Sequence, residues 1–325
     1  MGKKKGSLLS FRPDIKVVDA TIRDGGLVND FRFTEEFVKD LYSTNVDAGV
    51  DYMEFGYKAD KKIFNESDFG PWKFCNEDDL RNIVGENDTD MKIAIMADVG
   101  RCDYKKDIGN RADSVVDLVR IATYIDTIPA AIKMIEHCSN LGYETTVNIM
   151  AISKDKESDI DEALELFGQG PVDGIYLVDS YGSLYMEEIE KLADKYLAIA
   201  DKYNKYIGMH AHNNQQLAFA NTITALTRGV SYLDATVSGM GRGAGNCASE
   251  QLLSFLKNPK YDIIPILKFL EKHFVPLKES GVVWGYNVPY LLTGQMNRHP
   301  RSAIAATKEG RTDFFNFYLD LFDND

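Results

Sequence analysis

The sequence predicts an α/β chain folded as a (β/α)8 TIM barrel with a C-terminal helical extension, and three observations carry that prediction. Eight runs rich in Val, Ile and Tyr read as near-continuous apolar segments, as strands buried on both faces should. Helical periodicity returns between them, which makes the sheet parallel. Eight such units in about 240 residues fit a closed barrel better than a doubly wound open sheet.

In chain order, KVVDATIRD (residues 16–24) is the first strand and ends in Arg23, Asp24, Gly25 and Gly26. The stretch FTEEFVKDLYSTNVDAG then offers Thr34 as N-cap, acids in its first turn, and Phe37, Val38 and Leu41 on one face. VDYMEFGY (50–57) is the second strand, and the aromatic segment 59–81 reads as an insertion after it. MKIAIMADVG (91–100) and VRIATYID (119–126) are the third and fourth strands. IPAAIKMIEHCSNLG follows, with Pro129 at a tolerated first helical position and Gly142 as a stop. ETTVNIMAI (144–152), GIYLVDSYG (174–182), YIGMHAH (206–212) and YLDATVSG (232–239) complete the strands. DEALELFGQG, MEEIEKLADKYLAIADKYN, LAFANTITALTRG and SEQLLSFLKN supply the intervening and following helices. The expected catalytic barrel is 12–256, and 257–325 is a mainly helical extension. Its last helix, RTDFFNFYLDLF, carries Phe314, Phe315, Phe317, Tyr318 and Phe322. Those aromatics need cover, from the barrel or from a second subunit, and a homo-oligomer is expected.

Of 325 residues, 44% are hydrophobic and 27% charged, with 25 Gly and 9 Pro, which is globular composition. The net charge of −13 repels phosphate backbones and anionic membranes, so neither nucleic acid nor membrane is an expected partner. Cys75, Cys102, Cys138 and Cys247 form no C-x-x-C pair, so reduced thiols and a cytoplasmic protein are expected. The start MGKKKGSLLS lacks the apolar core of a signal peptide, Gly6 stands where a myristoylation signal has Ser or Thr, and no run approaches the about 18 apolar residues of a membrane span.

Barrel enzymes carry their chemistry at the C-terminal ends of strands. There the sequence places Arg23-Asp24, then His210-Ala211-His212, then the glycine-rich run SGMGRGAGN (238–246). Strand side chains alternate, so His210 and His212 point to one side. They read either as metal ligands or as polar core residues that hydrogen-bond a substrate. Adding Asp24 makes a mixed N/O set suited to a divalent metal: Mn²⁺, Mg²⁺, Zn²⁺ or Fe²⁺. Arg23 beside it suits a developing enolate oxygen, or else a structural ion pair. The glycines of the run, Gly241 and Gly243 among them, let backbone approach an anionic ligand, and Asn246 ends it. Glu54 and Asp179 end the second and sixth strands. Each faces the metal, orients a ligand from behind, or serves as a cap or ion-pair partner.

DATIRDGG (19–26), HAHNN (210–214) and SGMGRGAGN (238–246), in this order, resemble the DRE-type TIM-barrel metallolyases, the superfamily of the HMG-CoA lyases. HAHNN with GMGRGAGN is most similar to the 4-hydroxy-2-oxovalerate aldolase branch. The resemblance covers the barrel, roughly residues 17–256. It implies that Asp24, His210 and His212 hold the divalent metal, with Mn²⁺ or Mg²⁺ favoured over Zn²⁺. It further implies that Asn246 approaches this metal and that Arg23 stabilises the enolate. The implied reaction makes or breaks a C–C bond next to the carbonyl of pyruvate or a similar 2-oxo acid, with an aldehyde as second substrate.

Leu27 departs from that pattern, because the aldolases carry their base, a His, at this position. Either the base comes from elsewhere or the reaction differs. His137 and His273 fall in helices, which leaves His299 in NRHPRSA as the histidine free for proton transfer, unless it only caps a turn before Pro300. Tyr290 and Tyr181 are the phenol alternatives. The segment after Leu256 does not match the part of those aldolases that docks a channelling dehydrogenase, so that partner is not expected. Two other functions compete with the aldolase: a Claisen-type acyltransferase using acetyl-CoA, which the short tail disfavours, and a barrel that binds a ligand or partner without catalysis.

Overall fold

The computed structural model describes residues 9–323, so the basic start, residues 1–8, lies outside the described residues. The barrel begins with β1 (Lys16–Asp19), α1 (Thr21–Asn29), α2 (Glu35–Asp47), β2 (Tyr52–Tyr57) and α3 (Glu77–Val84). It continues through β3 (Lys92–Asp98), α4 (Tyr104–Asp107), β4 (Leu118–Thr123), α5 (Ile128–Asn140), β5 (Glu144–Ile149) and α6 (Glu157–Gln169). It closes with β6 (Gly174–Asp179), α7 (Met186–Tyr203), β7 (Tyr206–Ala211), α8 (Ala218–Arg228), β8 (Tyr232–Ala235) and α9 (Ser249–Phe255). The strands form a closed parallel barrel in the order β1 to β8, with β1 pairing both β2 and β8. The predicted TIM barrel is therefore the observed fold. Thr34 caps α2 as expected, its side chain accepting from the Phe37 N–H.

The barrel interior is stacked in layers. At the bottom, the Tyr206 and Tyr232 rings stack at 3.8 Å, and the Tyr52 and Tyr206 hydroxyls donate to Glu144. Two residues further along the strands, Glu54, Arg120, Tyr176 and Asp234 fill the middle with charge. Gly208 makes that layer possible, since a Cβ there would stand 2.3 Å from the Tyr176 ring. The next layer up, Met96, Ala122, Asn148, Val178 and His210, lines a cavity at the C-terminal mouth.

Most strands stop short of their predicted ends, and the first does so with consequence. The run 16–24 is β-rich throughout, yet β1 ends at Asp19 and α1 opens at Thr21. The Asp19 carboxylate accepts from the Thr21 N–H and hydroxyl, and the Thr21 oxygen accepts from the Val237 N–H. Those bonds turn the chain, so Arg23 and Asp24 stand in the first turn of a helix rather than on a strand.

Beyond α9, α10 (Ile264–Phe269) returns to α2, with the Phe37 and Phe269 rings 5.1 Å apart. After α11 (Val275–Glu279) come α12 (Val288–Gln295), α13 (Arg301–Lys308) and α14 (Phe314–Asp323). Tyr290, Ala303, Ala306, Phe317 and Leu321 form a second small core with Ala244 of the glycine-rich loop. Phe317 thus packs inward, whereas Phe315 is 73% exposed. Among the described residues all four cysteines are free, and no helix is long and apolar enough to cross a membrane.

Candidate functional site

Asp24 from α1, His210 from β7 and His212 just past β7 converge at the barrel mouth. One potential ligand atom from each lies within 4.8 Å of the others, and all three side chains are buried. Neighbours set the histidine orientations. His210 Nδ1 lies 2.9 Å from Asp234 Oδ2, and His212 Nδ1 lies 3.3 Å from the Gly245 carbonyl oxygen. With Nδ1 donating to an oxygen, each ring keeps an Nε2 lone pair. His210 Nε2 is buried and has no hydrogen-bond partner. Asn246 Nδ2 donates to Asp24 Oδ2, while its own Oδ1 is buried without a partner. Two imidazole nitrogens, a carboxylate and an orphaned amide oxygen together fit a divalent ion that accepts mixed N and O ligands. Gly241 keeps the cradle open, since a Cβ there would lie 2.2 Å from Asn246 Nδ2 and 2.4 Å from Asp24 Oδ2.

A chain of buried charges supports these residues. Arg23 Nη1 donates to Asp24 Oδ1 at 2.7 Å and its Nε to Glu54 Oε2 at 2.8 Å. Arg120 donates to the same Glu54 oxygen at 2.9 Å and to Asp234 Oδ2 at 2.6 Å, with its guanidinium 4.3 Å from the Tyr176 ring centroid. Asp234 then meets His210, so the chain links Asp24 to His210 beneath the cavity. Burial opposes ionisation of Asp24, but the Arg23 guanidinium, helped by the hydrogen bond from Asn246, outweighs it and holds the carboxyl well below the usual range. Burial pushes His212 well below its ordinary value against the pull of Asp24, which keeps the imidazole neutral and able to ligate.

The cavity above is about 60 Å³, and Arg23, Leu27, Tyr57, Asn148, Ser180 and Arg242 help to line it. Tyr57 ends β2, and its hydroxyl makes no hydrogen bond to a described residue. Burial pushes its phenol up, with the Arg23 guanidinium pulling the other way. Its ring rests on Lys73, whose Nζ lies 4.2–5.4 Å from the ring centroids of Phe31, Tyr57, Phe64 and Phe69. The aromatic insertion thus packs against one wall of the site.

The other residues singled out from sequence stand at varying distance from this centre. Glu54 is the ion-pair partner of both buried arginines. Asp179 caps the loop after β6, accepting from the Ser183 and Leu184 N–H groups, and burial pushes its carboxyl up to about 7. His299 Nδ1 accepts from the Arg301 N–H at the start of α13, and its ring meets Tyr181 edge-on at 5.7 Å. Burial, then Arg242 and Arg301, lower His299 to about 4. Tyr290 belongs to the second core, where a Cβ on Gly243 would come 3.2 Å from its ring. His299, Tyr290 and Tyr181 are not among the residues lining the cavity. Sequence reasoning passed over Tyr57, Arg120, Ser180 and Arg242. Arg120 carried a readable signal, a charge within the apolar run VRIATYID.

A family model described as HMGL-like matches residues 14–269. A 4-hydroxy-2-oxovalerate aldolase from Bacillus cereus is 27% identical over 288 residues, 85% of this chain and 82% of that protein. 4-Hydroxy-2-oxovalerate aldolase 6 from Rhodococcus jostii is 29% identical over 248 residues, 74% of this chain and 67% of that protein. Among solved structures, the N-terminal domain of a provisionally designated aldolase from Bacteroides vulgatus superposes with a TM-score of 0.76 at 27% identity. That match covers 94% of this chain and all of the other. HMG-CoA lyase from Bacillus subtilis, at 14% identity and a TM-score of 0.64, covers 83% of this chain and 95% of its own and shares the fold.

Proposed function

The chain belongs to the HMGL-like family, an enzyme of the aldolase and lyase kind, and from that premise we propose that it is a divalent-metal-dependent aldolase. It makes or breaks a C–C bond through the enolate of pyruvate or a similar 2-oxo acid, with an aldehyde as the other partner. The observation that carries the reading is the convergence of Asp24, His210 and His212 at the mouth of the barrel, with His210 Nε2 buried and unpartnered.

Asp24, His210 and His212 would hold the metal, with Asn246 Oδ1 as a further oxygen, and Mn²⁺ or Mg²⁺ suits that set. The bound ion supplies Lewis acidity to the carbonyl of the 2-oxo acid. Arg23, fixed on two carboxylates, lines the cavity and would donate to oxygen as negative charge develops there. Asp234 and the Gly245 carbonyl fix the two imidazole rings. Leu27 lines the cavity and carries no proton. Tyr57 lines it with an open hydroxyl, so we assign it the proton transfer at the aldehyde oxygen, in preference to His299 or Tyr290. A reducing cytoplasmic setting suits the four free thiols, and the exposed aromatics of α14 suit a homo-oligomer.

Elemental analysis of purified protein, paired with a pyruvate-releasing assay on 4-hydroxy-2-oxo acids, tests this reading. Close to one divalent ion per chain is expected, with turnover lost on chelation and restored by Mn²⁺ or Mg²⁺. Undiminished turnover in metal-free protein would sink it.

A further inference from the structure

The cavity holds a second guanidinium whose charge the protein does not answer. Arg242 stands between Gly241 and Gly243 in the loop after β8 and lines the cavity. Its Nη2 donates to the Ser180 carbonyl oxygen at 2.8 Å, and its Nε is buried without a partner. Arg23 and Arg120 each meet two carboxylates, yet among the described residues no carboxylate pairs with Arg242. A part-buried cation without a counter-charge is costly, so a ligand is the natural source of one.

Its position indicates which ligand. Arg23 is anchored on Glu54 of β2, whereas Arg242 is anchored on Ser180, just past β6. In a closed barrel of eight strands in sequential order, β2 and β6 lie across the axis from each other. The two guanidiniums are therefore anchored toward opposite flanks of the barrel mouth. The Asp24 side is taken by the 2-oxo acid in the function proposed above, on which this inference rests. We propose that Arg242 recognises an anionic group on the aldehyde, a carboxylate or a phosphate, so that the aldol compound handled here is a 4-hydroxy-2-oxo acid with an anionic tail. In the forming direction C3 of the 2-oxo acid loses a proton, and its electron pair bonds to the aldehyde carbon. The carbonyl π pair moves onto the aldehyde oxygen, which takes a proton. Cleavage reverses each step, and no oxidant or reductant enters.

The test begins with metal-loaded protein and pyruvate alone in heavy water. Deuterium exchange at C3 is expected, and its absence would overturn the aldolase reading and this inference with it. Condensation rates are then compared for propanal, succinic semialdehyde and glyceraldehyde 3-phosphate. One of the two anionic aldehydes should exceed propanal in kcat/KM by about 10- to 100-fold, and which one does so identifies the tail. Exchange combined with equal use of propanal would overturn the inference alone, without recourse to any variant. Arg242→Gln should abolish the preference through the KM of the aldehyde, and a rise confined to the KM of pyruvate would count against it. In chelator-treated protein, succinate or inorganic phosphate, matching the preferred tail, should raise the Tm of wild type more than that of Arg242→Gln. Equal shifts would refute the assignment.

Discussion

Arg23 serves two roles at once, a partner for buried carboxylates and a donor to the cavity. The second role acts on charge that develops only during reaction. Arg23→Ala should therefore lower kcat by about 10²–10³-fold while the metal content stays near that of wild type. Arg23→Lys should recover little, because an ammonium lacks the fork that spans Asp24 and Glu54. A variant with wild-type kcat would remove the role. Asp19 allows a test independent of catalysis. Burial pushes its carboxyl from the ordinary 3.8 up to about 6, against the hydrogen bonds from Thr21 and Asn45. The native state thus keeps a proton that the unfolded chain releases, so this group makes stability fall as pH rises from about 4 to 6. Urea melts across that range should show Asp19→Asn lacking that component of the fall. A wild-type-minus-variant difference independent of pH would contradict the assignment.

At the scale of elements, β4 carries the most consequential residue that sequence reading did not single out. Arg120 ties Glu54 of β2 to Asp234 of β8, and through them Asp24 to His210. Arg120→Met leaves Asp234 buried with only the His210 imidazole and Glu54 with Arg23 alone, and should cost about 3–5 kcal/mol of stability in denaturant melts. A change below about 1 kcal/mol would show that the pairs are individually dispensable. The eight strands were legible because buried parallel strands read as short apolar runs rich in Val, Ile and Tyr, set apart by segments of helical period. Their ends were not. Thr21 and Ile22 have strand-like side chains, and Ala20 offers no side-chain cap, so nothing local announces that α1 begins there. The Asp24, His210 and His212 set was legible all the same, because its motifs are short and contiguous. Tyr57 and Arg242 were not, because each gains meaning only from residues brought beside it by other strands.

For the whole molecule, the surface of α14 bears on assembly. Phe317 and Leu321 cover the second core, while Phe315, Leu319 and Phe322 are 73%, 44% and 53% exposed. If that face meets another copy, Phe315→Ser with Phe322→Ser should lower the mass seen by light scattering without loss of secondary structure. An unchanged mass would place the interface elsewhere or show that there is none.

The closure of β1 on β8 has a consequence in time. Asp24 and Asn246, which share a hydrogen bond, lie 222 positions apart, and Lys257 donates to the Ser10 carbonyl across a still longer span. At about 5–20 residues per second, the ribosome delivers the second partner roughly 10–45 s after the first. Throughout that interval β1 lacks its β8 neighbour, and Arg23 and Asp24 wait for the histidines. No growing intermediate can own a finished centre, so a stalled or truncated translation product exposes a raw sheet edge and a half-site without its imidazoles instead of a weakened enzyme.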